Sequence, residues 1–117
     1  MEQSFALQRP FIPPPPDGVG NPFDWGRHEH VEQLLGESFE LEFFDGISPQ
    51  KADSPEALWE LFVCAVGPLN ALSRSLPPDR LSELRAAFLG FFSGYVDEQG
   101  RVSQPREYLI VIGRRRD

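Results

Sequence analysis

The last strand of the chain places the strongest constraint on its fold. Tyr108–Ile112 is a run of five apolar residues, three of them β-branched, which is typical of a strand that is apolar on both faces. The segment Phe39–Phe43 alternates strictly between apolar and acidic residues, as expected for a half-exposed strand at a sheet edge. An interior strand needs a neighbour on each side, and the sequence offers only this one partner. We therefore expect both strands to belong to a larger sheet.

Charge is distributed unevenly along the chain, which has 117 residues and a formal net charge of −7. Residues 1–60 carry 12 acidic and 3 basic side chains, whereas residues 61–117 carry 6 acidic and 8 basic ones. The acidic first half disfavours non-specific binding to nucleic acid or anionic membrane. No apolar run approaches the roughly 20 residues that a membrane span requires. We therefore expect a cytoplasmic protein that binds neither nucleic acid nor membrane.

Helix signals divide the rest of the chain. A short helix is predicted over Met1–Arg9. A second is predicted from a cap at Asp24 to Leu35, with Val31, Leu34 and Leu35 as its buried stripe. The single cysteine, Cys64, lies in an apolar helical run, which predicts a small buried core residue. The predicted organisation is one partial domain: helix and Pro-rich loop over 1–26, helix and edge strand over 27–53, helical insertion over 54–97, and final strand with basic tail over 98–117.

Three short patterns resemble functional motifs, but a structural explanation is favoured for each. Gly18–Gly20 follows a proline run instead of a strand, so it is not a dinucleotide loop. His28 and His30 point about 200° apart on a helix and do not chelate one metal from it. Glu40 and Glu42 share a strand face, where acidic residues prevent edge-to-edge aggregation. The sequence therefore predicts no catalytic residue and no metal site.

Aromatic residues are the remaining candidates for a binding site. Trp25, Trp59, Phe62 and the cluster at Phe88–Tyr95 could line a pocket for an apolar ligand. At helical spacing such residues more often form a core, and that interpretation is favoured here.

Four segments together resemble a known enzyme family, the class I S-adenosylmethionine-dependent methyltransferases, and especially the bacterial group similar to ubiquinone/menaquinone-biosynthesis methyltransferases. The segments contain a proline run followed by a Trp-Gly pair, a capped Ser-Pro-Glu helix start, a Gly-Pro-Leu step and the closing strand; they are Phe11–Gly26, Ser54–Glu60, Gly67–Leu69 and Pro105–Gly113. The resemblance covers the whole chain but only the C-terminal half of the family's domain.

The resemblance implies an α/β fold that forms the C-terminal part of a Rossmann-like methyltransferase sheet. Two antiparallel strands, at about 38–45 and 107–113, would be the family's sixth and seventh, accompanied by four to five helices. The seventh strand of that fold lies between the fifth and sixth. The helices of residues 54–96 would be an insertion on the substrate side.

The resemblance also implies S-adenosylmethionine as cofactor and a small-molecule methyl acceptor. The family's glycine-rich cofactor loop is not in this sequence, so no cofactor-binding residue can be assigned. Phe23 and Trp25 would lie beside the substrate cleft, which gives Phe23, Trp25, Trp59 and Phe62 as substrate-pocket candidates.

Two functional hypotheses follow. In the first, the chain is a C-terminal methyltransferase fragment, a truncated domain that is inactive alone. In the second, it is a small non-enzymatic binding module whose Tyr108–Gly113 edge pairs with a second copy across a twofold axis. The match along the whole chain favours the first.

Overall fold

The chain divides into two compact units in the computed structural model, which describes residues 2–117. The helical unit comprises the residues up to Pro14 together with Pro49–Pro105, and the sheet unit comprises Pro15–Ser48 together with Arg106–Asp117. The described residues form a mixed α/β fold of five α-helices and two antiparallel sheets of two strands each.

The predicted helices and strands occur in their predicted order with different bounds, and two short strands occur in addition. The helices are α1 Glu2–Ala6, α2 His28–Leu35, α3 Pro55–Ala65, α4 Gly67–Ser75 and α5 Pro78–Ser93. The strands are β1 Phe39–Ile47, β2 Gln50–Ala52, β3 Val102–Gln104 and β4 Glu107–Arg115, and short 3₁₀ helices cover Arg9–Phe11 and Pro22–Gly26. The two predicted strands are confirmed as β1 and β4. Of the first predicted helix, Met1 lies outside the described residues.

A core of apolar side chains holds the helical unit together. Helix α3 begins where Ser54 caps it, since the Ser54 hydroxyl accepts a hydrogen bond of 3.0 Å from the Ala57 amide. The buried side chains come from α3, α4, α5 and β3; they are Leu58, Trp59, Leu69, Leu72, Leu84, Phe88, Phe92 and Val102. The three- and four-residue spacing of the leucines and phenylalanines in α4 and α5 thus marks the buried face of these helices.

The β2–β3 sheet was not predicted from the sequence. Gln50 pairs with Gln104 and Ala52 pairs with Val102. Each strand has only three residues and lacks an apolar alternation, so its formation depends on packing against the helical core more than on local sequence.

Strands β1 and β4 pair antiparallel along nine residue pairs, from Phe39–Arg115 to Ile47–Glu107. Because side chains alternate between faces, this register places Phe43 and Val111 on one face and Phe44 and Ile110 on the other. The His28 ring stacks on the Phe43 ring with centroids 4.3 Å apart, so α2 lies on the Phe43 face.

Burial differs from the sequence-based expectation in β4. Tyr108, Ile110 and Ile112 were expected to be covered, as in an interior strand, yet all three are exposed. In the sheet order β1–β4 the strand has one neighbour, and α2 lies on the opposite face. An apolar run therefore predicts a strand, but it does not show whether other residues cover the side chains of that strand.

Three further expectations for single residues were wrong. Cys64 is exposed, because α3 turns the side that carries Leu61 and Cys64 away from the core. Leu34 of α2 is exposed as well, whereas Val31 is buried. Asp24 does not cap α2, since it lies within the 3₁₀ helix and α2 starts only at His28.

Phe92, which is fully buried in the helical unit, tests this core. Phe92→Ala should lower the free energy of unfolding by about 3–5 kcal/mol, because a cavity remains where the ring was. Urea unfolding followed by Trp59 fluorescence in a Trp25→Phe background measures it. The control Leu61→Ala removes an exposed leucine of the same unit and should change stability by only about 0.5 kcal/mol. Equal losses for both variants would contradict the assignment of the core.

Candidate functional site

Two of the four predicted pocket residues, Trp59 and Phe62, belong to the core of the helical unit. Trp59 is only 5% exposed. Both rings make edge contacts with Phe88, with centroid distances of 5.3 Å for Trp59 and 5.4 Å for Phe62. Phe62 also meets Phe92 at 6.3 Å. These contacts make the two residues part of an aromatic core, in line with the interpretation that the sequence favoured.

The other two candidates, Phe23 and Trp25, lie on the 3₁₀ helix Pro22–Gly26 of the sheet unit. Asn21 begins this helix, because its side-chain oxygen accepts a hydrogen bond of 3.0 Å from the Phe23 amide. Trp25 is exposed and meets the His30 ring edge-on at 5.6 Å. The four candidates are thus divided between the two units: Trp59 and Phe62 belong to the helical unit, and Phe23 and Trp25 belong to the sheet unit.

Both histidines have aromatic or ionic neighbours within the sheet unit. The Nε2 atom of His28, whose ring stacks on Phe43, lies 3.3 Å from a carboxylate oxygen of Asp45. His30 packs against Trp25. Among residues 2–117, no three His, Cys, Asp or Glu side chains come together as a metal site would require.

A surface groove of about 510 Å³ lies beside the β2–β3 sheet in the helical unit. Its charged residues are Lys51, Asp53, Asp97 and Arg101. Asp97 and Arg101 pair with each other, with Arg101 Nε 3.1 Å from Asp97 Oδ2. The groove therefore carries charges of both signs, which does not favour binding of an anion or of a cation. The Asp97–Arg101 pair stabilises the turn over residues 97–101.

Asp97 organises that turn through its carboxylate. The Oδ1 atom accepts hydrogen bonds of 2.9 Å from the amides of both Gln99 and Arg101. The Gly100 amide donates to the Asp97 carbonyl oxygen at 3.0 Å, and Gly100 has a φ of +77°, a conformation that favours glycine. The hydrogen bond from the Arg101 amide is the main cause that lowers the pKa of Asp97 below its ordinary value of 3.8.

The side of the β1–β4 sheet opposite α2 carries a group of exposed apolar residues. It consists of Phe44, Tyr108, Ile110 and Ile112, which are between 48 and 53% exposed, and we call these four residues the apolar sheet face. The Tyr108 ring lies across Gly46, its register partner, and leaves no room there for a side chain.

Charged residues border the apolar sheet face at one end. Glu40 is paired with Arg114 in the register, and Glu42 is paired with Ile112. These four residues line a small groove of about 70 Å³. The sheet thus presents an apolar surface with two acidic side chains, Glu40 and Glu42, and one basic side chain, Arg114, at its border.

The apolar sheet face was missed at the sequence level, although a signal for it exists. Tyr108, Ile110 and Ile112 recur with period two, and Phe44 breaks the apolar–acidic alternation of β1. Only the register shows that Phe44 lies opposite Ile110.

S-adenosylmethionine does not fit the residues present. The nearest glycine-rich segment, Gly18–Gly20, lies between the proline run and the 3₁₀ helix Pro22–Gly26, away from any strand end. No strand directly precedes this segment and no α-helix directly follows it, so it lacks the strand–loop–helix arrangement of a glycine-rich cofactor loop. No cofactor-binding role is assigned to these residues.

Comparison with protein-family models, with curated proteins and with solved structures gives no match to this chain. Each helix within residues 2–117 is too short or too polar to cross a bilayer.

The lowered pKa of Asp97 predicts a pH dependence. Because the folded state binds the proton less tightly than the unfolded state, ionised Asp97 stabilises the fold above pH 3.8, and this stabilisation is lost as the pH falls through the lower folded value. Wild type should therefore melt at a higher temperature than Asp97→Asn near neutral pH. The difference should shrink as the pH falls below 3.8, and a constant difference would contradict this role.

Proposed function

We propose that this chain forms the C-terminal, substrate-side part of a class I S-adenosylmethionine-dependent methyltransferase, and that it is inactive alone. The observation that carries the proposal is the nine-pair antiparallel ladder between β1 and β4, with helices α3, α4 and α5 between them in the sequence. This is the order that the resemblance implies for the sixth strand, a helical insertion and the seventh strand.

The second edge of β4 supports the same proposal. In the described residues β4 pairs only with β1, so its other edge presents unpaired backbone amide and carbonyl groups. The resemblance implies a seventh strand placed between the fifth and sixth. The vacant edge of β4 is then the position that we propose for the family's fifth strand, which would come from outside residues 2–117.

The contribution of this chain to methyl transfer would be positioning. Phe23 and Trp25, on the 3₁₀ helix that follows the proline run, are the residues that we propose to contact a small-molecule methyl acceptor. The Trp59–Phe62–Phe88 contacts would hold the substrate-side helices in place. Orienting an acceptor against a reactive methyl group supplies much of the rate enhancement in such reactions. The cofactor, which supplies the methyl group, would be held by residues outside this chain in a cytoplasmic enzyme.

A non-enzymatic dimeric module is the second candidate. The same vacant edge of β4 favours it, because Tyr108–Gly113 could pair with its own copy across a twofold axis and form a four-stranded sheet. Both candidates use this edge, so they differ in what pairs with it.

Sequencing the genomic DNA upstream of the Met1 codon separates the two candidates. The methyltransferase proposal predicts an open frame, continuous with this one or shifted from it, that encodes a strand followed by a glycine-rich loop. A stop codon and a ribosome-binding site directly before Met1 would contradict it.

Calorimetry then tests whether the cofactor binds to this chain or to the proposed N-terminal part of the enzyme. The purified chain should bind no S-adenosylmethionine, because it lacks the family's glycine-rich cofactor loop, whereas the protein expressed from the joined frame should bind it with micromolar affinity. Micromolar binding by the chain alone would overturn the proposed placement of the cofactor outside these residues.

A further inference from the structure

The proline run consists of four consecutive residues, Pro13–Pro16, shortly after the 3₁₀ helix Arg9–Phe11. Each proline ring fixes its own φ at about −65°, and each residue before a proline is restricted to extended conformations. Ile12, which precedes the run, is accordingly extended, with a φ of −122° and a ψ of 152°. The segment therefore favours the polyproline II helix over any other conformation.

The proline run is exposed along its whole length. All four of its side chains are exposed, as is Asp17 directly after it, and Ile12 before it is 44% exposed. The apolar core of the helical unit takes its side chains from other residues. The proline rings therefore stay accessible to a binding partner.

The residues before the run are fixed on the helical unit. The Phe11 ring packs against the apolar core, and the Arg80 guanidinium lies 4.4 Å from the centroid of that ring. Arg80 also donates a hydrogen bond of 3.2 Å to the Pro10 carbonyl oxygen. The cation over the aromatic ring and this hydrogen bond together hold the start of the run in place.

A turn fixes the end of the run. The Val19 amide donates a hydrogen bond of 3.3 Å to the Pro16 carbonyl oxygen, and Gly18 inside this turn has a φ of +82°. The run is thus held at both ends as well as by its own rings. Binding a partner through it costs little conformational entropy, because its bound conformation is already formed.

The three-residue period of a polyproline II helix places its side chains on three edges. Ile12 and Pro15 share one edge. Pro13 and Pro16 share the next edge, and Pro14 occupies the third. Exposed segments with two prolines at this spacing bind in grooves that are lined by aromatic side chains. Such a groove would contact the first two edges and leave the edge of Pro14 in water.

The charges beside the run narrow the choice of partner. Asp17 follows the run directly and is exposed, whereas the nearest basic residue on the other side, Arg9, is separated from the run by three residues. A basic side chain at the end of the groove would pair with Asp17, and an acidic one would repel it.

We propose that the proline run is a docking segment for a protein domain with an aromatic-lined groove and a basic side chain beside that groove. The proposal does not rest on a methyltransferase function. A segment of five residues buries less area than a stable interface does, so the complex should be weak, with a dissociation constant on the order of 10–100 µM.

Two purified WW domains serve as probes, one with a basic and one with an acidic side chain next to its aromatic groove. Each domain is isotope-labelled and titrated with the unlabelled chain, and the amide chemical shifts of the groove residues are measured. The domain with the basic side chain should bind about fivefold or more tightly than the other. Unchanged groove shifts in both domains at about 1 mM chain would overturn the proposal, as expected if the run is only a spacer.

Alanine variants test which edges of the run bind. Pro13→Ala and Pro16→Ala should each weaken binding about tenfold or more, because each removes a ring from the edges that face the groove. The matched control Pro14→Ala removes a ring from the third edge and should change binding by less than about threefold. Equal losses for all three variants would contradict the proposed orientation. All three positions are exposed, so their melting temperatures should stay close to that of wild type.

Charge reversal at Asp17 tests the flanking contact. Asp17→Lys should weaken binding to the domain with the basic side chain and strengthen binding to the domain with the acidic one, each by about threefold or more. A preference between the two domains that does not change on substitution would show that Asp17 takes no part in recognition and would overturn this part of the proposal.

Discussion

The antiparallel pairing of β1 with β4 is the interaction on which the sheet unit depends. It joins strands separated by 59 residues, so the closure of a long loop has to be offset by the hydrogen bonds of the ladder and the side chains that pack across it. The pairing also decides which face each side chain occupies. A shift of β1 by one residue against β4 would move Leu41 and Phe43 from the face covered by α2 to the exposed face, while Val111 kept its place.

Local sequence patterns were sufficient to predict a helix or strand where the segment's own periodicity or capping residues determine its structure. The alternation in Phe39–Phe43, the β-branched run before the terminal arginines and the Ser54-Pro55 helix start each specify one element, and the structure contains all three. The strands β2 and β3 are too short to carry a period, so no local pattern could reveal them. Cys64 illustrates a related limit. When a helix is apolar on nearly all sides, its sequence does not show which side stays exposed after neighbouring elements pack against it.

The candidate site was less accessible from the sequence than the fold. Trp59 and Phe62 were recognised as aromatic residues at helical spacing, a pattern shared by cores and pockets, and only their ring contacts with Phe88 identify them as core. The apolar sheet face needs two strands in a known register before Phe44 and Ile110 become neighbours. A property that arises from pairing distant segments cannot be obtained from either segment alone.

The register of β1 on β4 is therefore the central claim, and nuclear Overhauser contacts between the strands test it most directly. The account predicts cross-strand contacts that place Phe43 opposite Val111 and Phe44 opposite Ile110. Contacts that instead place Phe43 opposite Ile110 would show a register shifted by one residue. Such a shift would exchange the two faces of β1 relative to β4 and remove the basis for both the apolar sheet face and the Glu40–Arg114 pair.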